Sequence, residues 1–495
     1  MRGCKGMKKG CWRQTALLLT GALLWNLPVG MCADLSLDQA IQMALQQNTD
    51  IKIKQKGEET ADAALRQAKG AKGFSITATG GADSSKANSE DITSKLSAGI
   101  TAKLPIYSAG KLDNNIASGE LGVKSAVLGT AREQEDIRLS VIKAYYDVIE
   151  SRKTIDVDQD AVDKYQAHLT NTQQLYSAGS KARIDVLRAS VELSNNRQTL
   201  IKAQNSYEVK LANLRNILNM DRNEPLNLTD DVLYTPFDKD INSCVDYAYD
   251  NRKDLLADKY TLEQKELAIK VAEAGMKPTV DLSVGSNLSS QIAPSSSDSH
   301  SFTAGLSASW NVFDSGITHA KIDSAKTDRD IARLQLNKDM DNADYSVREA
   351  YYNMREAEKR FNSTQEAVQQ AKEDYYIARE KYRAGEGIML DVIDAQNSLV
   401  TAELNYITAQ YDYARYKATL ENAMGIGLTA QEQAAAGVPA TKIVKAENEA
   451  KTKAPAVPEV PGKTVVQEKP AEVSPANVEE QSENVANEAA ENGGE

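Results

Sequence analysis

The chain has 495 residues, a formal net charge of −12 and three histidines. An acidic chain is a poor partner for nucleic acid, so no nucleic-acid partner is expected. The histidines at positions 168, 300 and 319 lie far apart, and no HExxH, GxSxG or phosphate-loop motif is present. We therefore predict neither an enzyme nor a cofactor or metal site.

The first residues predict export. Five basic residues precede an apolar run over residues 16–25, and small residues end at Ala33, which is typical of a cleaved signal peptide over residues 1–33. Met7 is an alternative start. Lipidation at Cys32 is disfavoured because Met31 is a poor residue before a lipidated cysteine. Cleavage leaves Cys244 as a single cysteine, so no intrachain disulfide is expected.

The region after the signal peptide is a tandem duplication. Ala144 corresponds to Ala350, Tyr176 to Tyr382 and Gly179 to Gly385, each pair 206 residues apart, with no gap across the stretch. We predict a first repeat over residues 34–239 and a second over residues 240–428, related by pseudo-symmetry.

Each repeat begins with two predicted helices and a pair of predicted strands. The helices span residues 34–47 and 50–69 in the first repeat, and 240–250 and 254–273 in the second. Alternating apolar and polar residues follow at 74–79 and 96–104, and again at 280–284 and 302–310, separated by polar loops at 83–93 and 289–301. Such alternation is typical of a membrane strand, although an ordinary half-buried hairpin has the same pattern.

The strands, rather than a helix, are predicted to cross the membrane. No segment after the signal has the ~20 apolar residues that a membrane helix requires. Four aromatic residues lie at the strand ends nearer the helices and are predicted to sit at the membrane interface: Phe74, Tyr107, Trp310 and Phe313. Four strands cannot close a barrel, and open edges are not tolerated in lipid, so the chain must oligomerise. A dimer would supply eight strands and a trimer twelve, and the count alone does not choose.

A long helical hairpin completes each repeat. Apolar residues recur every seven positions from Val141 to Tyr176 and from Val347 to Tyr382, which is coiled-coil periodicity. Proline is absent from both regions, so each first helix is predicted to run for roughly 60 residues, or about 90 Å. Gly179 and Gly385 fall where these helices end, and glycine there permits a left-handed turn.

Two further features are a set of aspartates and the end of the chain. Asp185, Asp391 and Asp394 lie near the starts of the second helices, where the helix dipole already favours acidic residues. Asp391 and Asp394 are three residues apart and share one helix face. Residues 429–495 are rich in Ala, Glu, Pro and Val without any aromatic residue, and are predicted to form a disordered acidic tail.

Residues 104–110 (LPIYSAG), residues 310–316 (WNVFDSG) and the two hairpin tips resemble the corresponding motifs of TolC-like outer-membrane efflux proteins, over roughly residues 35–425. The resemblance implies a mainly α fold with membrane β-strands, in which the hairpins form a periplasmic α-barrel. Four strands per chain contribute to a trimeric, twelve-stranded β-barrel. It also implies an exit duct, a homotrimer in outer-membrane lipid, that exports small molecules or proteins with a periplasmic adaptor and an inner-membrane transporter.

The resemblance also suggests roles for residues at the tips. Asp391, Asp394 and Tyr382 match residues of the pore gate, and Asp185 is the next candidate for it. Adaptor docking is expected at six tip residues: Tyr176, Ala178, Gly179, Arg383, Ala384 and Gly385. Gly387 stands where the resembling channel has an arginine that ties the gate, and the candidates to replace that arginine are Arg183, Arg188 and Arg383.

Two other functions fit parts of the pattern. One is a structural tether between the outer membrane and the cell wall, built on the coiled coil and the acidic tail. The other is a periplasmic adaptor, which also carries long α-hairpins but lacks the repeated strand pairs. The sequence leaves the exported substrate and the pump family open.

Overall fold

The computed structural model of the chain describes residues 33–86, 92–232, 234–293, 295–436 and 440–452. The predicted signal peptide, up to residue 32, lies outside the described residues. The structure is mostly helical with a few strands. Among the described residues, no helix is both long enough and apolar enough to span a bilayer.

The two repeats have the same order of helices and long strands. The first contains β1 (Ala33–Leu35), α1 (Leu37–Gln47), α2 (Thr49–Gly70), β2 (Ser75–Ser85), β3 (Thr93–Tyr107), α3 (Lys111–Ser177), α4 (Arg183–Leu218) and β4 (Leu226–Leu228). The second contains α5 (Ile241–Asn251), α6 (Lys253–Glu273), β5 (Thr279–Ala293), β6 (Ser297–Ser309), α7 (Ile317–Ala384) and α8 (Met389–Ala423). The chain continues into α9 (Ala430–Ala435) and α10 (Ala440–Thr452).

The long helices are as the sequence predicts, but longer. Helices α3 and α7 have 67 and 68 residues, about 100 Å each. Helix α3 begins at Lys111, so Ala144 lies within it and does not open it. Gly119 and Gly122 lie within this helix at points where other elements pack closely against it. An added Cβ would lie 3.2 Å from Leu65 Cδ1 at Gly119 and 3.1 Å from Gln264 Nε2 at Gly122.

The junction between sheet and long helix has the same geometry in both repeats. Ala109 and Gly110 have φ values of 55° and 83°, and Ser315 and Gly316 have φ values of 53° and 85°. Two consecutive left-handed residues turn the chain sharply from strand into helix. In the second repeat the carboxylate of Asp314 accepts a hydrogen bond from the amide of Thr318 (2.8 Å), which caps the first turn of α7.

The four long strands form one antiparallel sheet in the order β2-β3-β5-β6. The central β3–β5 pairing joins the two repeats, with Ala98 opposite Leu288. The predicted loop over residues 289–301 is wrong for most of its length, because β5 continues to Ala293 and β6 begins at Ser297. Strands pair through hydrogen bonds between backbone groups, so this serine-rich segment joins the sheet although it has no apolar face.

The four predicted interface aromatics lie at the helix end of this sheet. Phe74 precedes β2, Tyr107 ends β3, and Trp310 and Phe313 follow β6; all four side chains are exposed. The indole of Trp310 donates a hydrogen bond to the backbone oxygen of Met276 (2.9 Å). Their contact with a membrane interface stays a prediction.

A packed region surrounds the middle of the long helices. Strands β1 and β4 pair in parallel, and together with α1 they cover α3 and α4. The hydroxyl of Tyr145 donates to the backbone oxygen of Leu35 (2.9 Å) and accepts from the amide of Asp230 (3.2 Å). Helix α5 packs on α7 and α8 in the second repeat, around Cys244 and Val347.

The predicted disordered tail begins too early in the chain. Residues 430–435 and 440–452 are helical, and α10 packs on α3 and α6 through Ile443, Ala446 and Ala450. Nζ of Lys253 lies 2.6 Å from Oε1 of Glu447 on α10. Alanine and glutamate are good helix formers, so their abundance here reflects a docked helix. Residues 453–495 lie outside the described residues.

Candidate functional site: the hairpin tips

The same turn closes both hairpins. In the first, the amides of Gly179 and Ser180 donate to the backbone oxygens of Tyr176 and Leu175 (2.9 Å each). In the second, Gly385 and Glu386 donate to the backbone oxygens of Tyr382 and Lys381 (3.2 and 3.0 Å). These two bonds define the Schellman motif, which needs a left-handed residue after the helix. Gly179 and Gly385 supply it, with φ values of 74° and 84°.

The two tips pack against each other within the chain. Their shared core joins residues of all four long helices: Val162 and Tyr165 from α3, Ala189 and Leu193 from α4, Tyr375 and Tyr382 from α7, and Met389, Val392, Ile393 and Leu399 from α8. Because every helix contributes, the tips form one apolar unit.

Tyr382, one of the predicted gate residues, lies at the contact between the hairpins. Its side chain is only 2% exposed, whereas that of Tyr176 at the equivalent position of the first repeat is 46% exposed. Nζ of Lys181, from the turn of the first hairpin, lies 4.2 Å from the ring centroid of Tyr382. Burial raises the pKa of Tyr382, and the negative charge of Asp185 adds to the increase.

The predicted gate aspartates differ in their surroundings. Asp391 and Asp394 are exposed and lie on one face of α8, while Asp185 is half-buried. A carboxylate oxygen of Asp391 accepts a hydrogen bond from the amide of Ile388 (3.4 Å), as expected for an acidic residue in the first turn of a helix. Asp394 lies near Tyr165, whose hydroxyl donates to Oδ1 of Asn397 (2.9 Å). Burial raises the pKa of Tyr165, and the charges of Glu192, Tyr375 and Asp394 add to the effect.

Gly387 has a structural reason for lacking a side chain. A Cβ at this position would lie 3.1 Å from the backbone nitrogen of Tyr382 and 3.3 Å from the carbonyl carbon of Lys381. An arginine here would therefore press on the last turn of α7.

None of the three predicted arginines replaces it inside the chain. Arg383 pairs with Glu380 at 3.4 Å, and the structure, over the residues it describes, shows no ion pair for Arg183 or Arg188. The basic group that lies over the ring of Tyr382 is instead that of Lys181, which sequence reasoning missed. The signal was available: Lys181 lies 206 residues before Gly387, so it occupies the same turn position in the first repeat.

Three polar side chains in this part of the chain have buried atoms without hydrogen-bond partners among the described residues: Gln396, His168 and Tyr382, whose hydroxyl is unpaired. Both amide atoms of Gln396 are unpaired among the described residues, and its side chain has no exposed surface. Nε2 of His168 is also unpaired, and burial, together with the charge of Arg379, lowers its pKa. Unpaired buried groups destabilise the packing that contains them.

All six predicted docking residues are exposed: Tyr176, Ala178, Gly179, Arg383, Ala384 and Gly385. Four apolar side chains are exposed beside them: Ile184, Leu187, Ile388 and Leu390. A cluster of exposed apolar groups at a helix tip is typical of a surface that contacts another protein.

A four-stranded sheet joined to two very long helical hairpins, with a packed region halfway along, is the fold of an outer-membrane channel subunit. Solved structures of such channels have it: OprN, with a TM-score of 0.69 and 20% identity over 79% of this chain and 90% of that chain, and CmeC of Campylobacter jejuni, with a TM-score of 0.71 and 18% identity over 84% and 89%.

The sequence agrees with the fold. The profile described as "Outer membrane efflux protein" matches residues 40–220 and 245–426, and the chain therefore belongs to the outer membrane efflux protein family. The outer membrane efflux protein BepC of Brucella suis is 22% identical over 83% of this chain and 89% of its own length. The outer membrane protein TolC of Escherichia coli is 22% identical over 59% and 62%. The TolC-like resemblance is confirmed, and the family consists of channels rather than enzymes.

Proposed function

We propose that three copies of this chain form a passive, gated exit duct through the outer membrane. The observation that carries this proposal is the exposed sheet: β2 and β6 are its two edges, and each has one neighbour among the described strands. In a ring, β6 of one chain pairs with β2 of the next, which satisfies both edges in lipid. Three chains of four strands give a twelve-stranded barrel.

The long helices support a ring as well. Helix α4 exposes Ile184, Leu187, Val191 and Ile201, and α7 exposes Ile331, Leu334, Tyr345 and Tyr352. Apolar surface of this extent on a helical shaft needs a cover. In a closed ring, neighbouring chains cover this surface and the helices extend the duct into the periplasm as an α-barrel.

The gate lies at the tips in this proposal. A threefold ring brings three Asp391 and three Asp394 carboxylates towards one axis, in two layers about one helical turn apart. Converging carboxylates attract cations, so the closed duct conducts weakly and prefers cations. The half-buried Asp185 and the buried Tyr382 lie behind the helix face that carries Asp391 and Asp394.

Opening requires two partners in this proposal. A periplasmic adaptor docks on the exposed tips, and an inner-membrane transporter supplies the energy. Photo-crosslinkers placed at Tyr176 and Arg383, which are exposed, should capture the adaptor in intact cells. A crosslinker at the exposed Gln369, on the shaft of α7, is the matched control and should capture much less.

Gly385→Pro tests the same contact. Proline cannot adopt the φ of 84° that closes the turn, so adaptor crosslinking should fall while the trimer persists. Unchanged crosslinking in this variant would show that the turn is unimportant for docking. Trimers that conduct no ions under any condition would favour the structural tether.

A further inference from the structure

We infer that Lys181 is a positioning residue that latches the two hairpin tips of one chain together and thereby favours the closed gate. This inference rests on the proposed gated duct and adds to it a residue that favours the closed state. It starts from one contact across the two hairpins.

The contact joins a basic residue to a buried ring. Nζ of Lys181 lies 4.2 Å from the ring centroid of Tyr382, within the range of a cation–π interaction. The ring is 2% exposed, so the attraction acts where little water competes. Lys181 belongs to the turn between α3 and α4, and Tyr382 belongs to the last turn of α7. Separating the hairpins therefore breaks this contact.

A carboxylate strengthens the arrangement. Asp185 lies four residues after Lys181, in the first turn of α4, and its charge also acts on Tyr382. Lys181 and Asp185 of the first hairpin thus both act on one side chain of the second.

The duplication shows that this latch has no counterpart. The residue equivalent to Lys181 is Gly387, and the residue equivalent to Tyr382 is Tyr176, which is 46% exposed. Gly387 has no cation to offer, and its backbone packs against the end of α7. The second repeat therefore has no lysine at the position equivalent to Lys181. Opening that separates the two hairpins of a chain must break the contact between Lys181 and Tyr382.

Lys181→Met tests the latch, since it keeps the length of the side chain and removes the charge. The full-length protein in planar bilayers should show a several-fold higher resting conductance. Loss of one partly desolvated cation–π contact shifts the closed-to-open ratio by about tenfold per chain, which corresponds to about 1.4 kcal/mol. Lys181→Arg keeps the cation and should behave like the unmodified protein. Lys202→Met, which removes an exposed charge from α4 away from the tip, is the control and should change little.

A second measurement tests the latch independently of ion conduction. Spin labels at Ser180 and Glu386 report the distance between the two tips of a chain, with or without conduction. This distance should become longer and more broadly distributed in Lys181→Met but not in Lys181→Arg. An unchanged distance, or equal effects of Lys181→Met and Lys202→Met on conductance, overturns the latch. A widened tip in a protein that never conducts contradicts the duct and leaves the latch standing.

Discussion

Glu135 gives the sharpest prediction about the packed middle of the molecule. Its side chain is 3% exposed, Nη1 of Arg132 lies 3.3 Å away, and Nζ of Lys253 lies 4.0 Å away. Burial raises the pKa of Glu135 from 4.5 to about 7, although the charges of Lys253 and Arg132 oppose the increase. Since a tenfold change in proton affinity is worth about 1.4 kcal/mol, the ionised form costs the fold about 3 kcal/mol.

Because the pKa of Glu135 is raised in the folded protein, the free energy of unfolding falls as pH rises. Between pH 4.5 and about 7 the folded protein keeps a proton that the unfolded chain releases, so this carboxyl lowers stability as pH rises through that window. Glu135→Gln imitates the protonated form and does not titrate. We expect the variant to match the unmodified protein at pH 5 and to exceed it at pH 8, by up to about 3 kcal/mol.

The assay is thermal unfolding of the full-length protein in mild detergent at pH 5 and pH 8. Glu120→Gln is the matched control because Glu120 is exposed and pairs with Lys69 at 3.3 Å; its effect should be small at both pH values. If Glu135→Gln is less stable than the unmodified protein at pH 8, the ion pairs with Arg132 and Lys253 outweigh the cost of burial, and the reasoning fails.

Three further substitutions test the tips and the C-terminal helix. Gln396→Leu removes two unpaired buried polar atoms and should stabilise the protein by about 1 kcal/mol, seen as a higher melting temperature; a lower one would mean that unseen water pairs the amide. Gly387→Arg should lower the melting temperature, by about 1–3 kcal/mol of stability, and should not tighten the gate; reduced resting conductance would contradict this. Lys253→Met removes one of the two cations beside the buried Glu135 and the cation beside the half-buried Glu447, and should cost about 3 kcal/mol. A stop after residue 452 should leave stability unchanged, whereas a stop after residue 429 should lower it; equal melting curves would show that α10 contributes nothing.

The parts of the fold that the sequence predicted are those with a strong local or repeated pattern. Helix α4 begins at Arg183 and α8 at Met389, and this offset of 206 residues is visible in the sequence. Heptads mark the long helices, and Val141, Val148, Val347 and Met354 are buried as that pattern requires.

The parts that it missed depend on contacts between distant segments. Strands β1 and β4 have three residues each and exist because Ala33 pairs with Leu226. Helix α10 has a composition that suits both a solvated tail and a docked helix, and only the apolar groove beside Leu128 and Tyr260 decides between them. The contact of Lys181 with Tyr382 joins residues 201 positions apart, and no local pattern announces it.

Ion conductance of the purified protein in planar bilayers tests the central claim most directly. We predict small, cation-preferring channels that divalent or trivalent cations block from the side of the tips. Asp391→Ala combined with Asp394→Ala should abolish the block and weaken the cation preference while the trimer persists, because both side chains are exposed and add little to packing. Channels of the double variant that keep the same cation block would contradict a gate at these aspartates, and the absence of any conductance in either protein would contradict the duct itself.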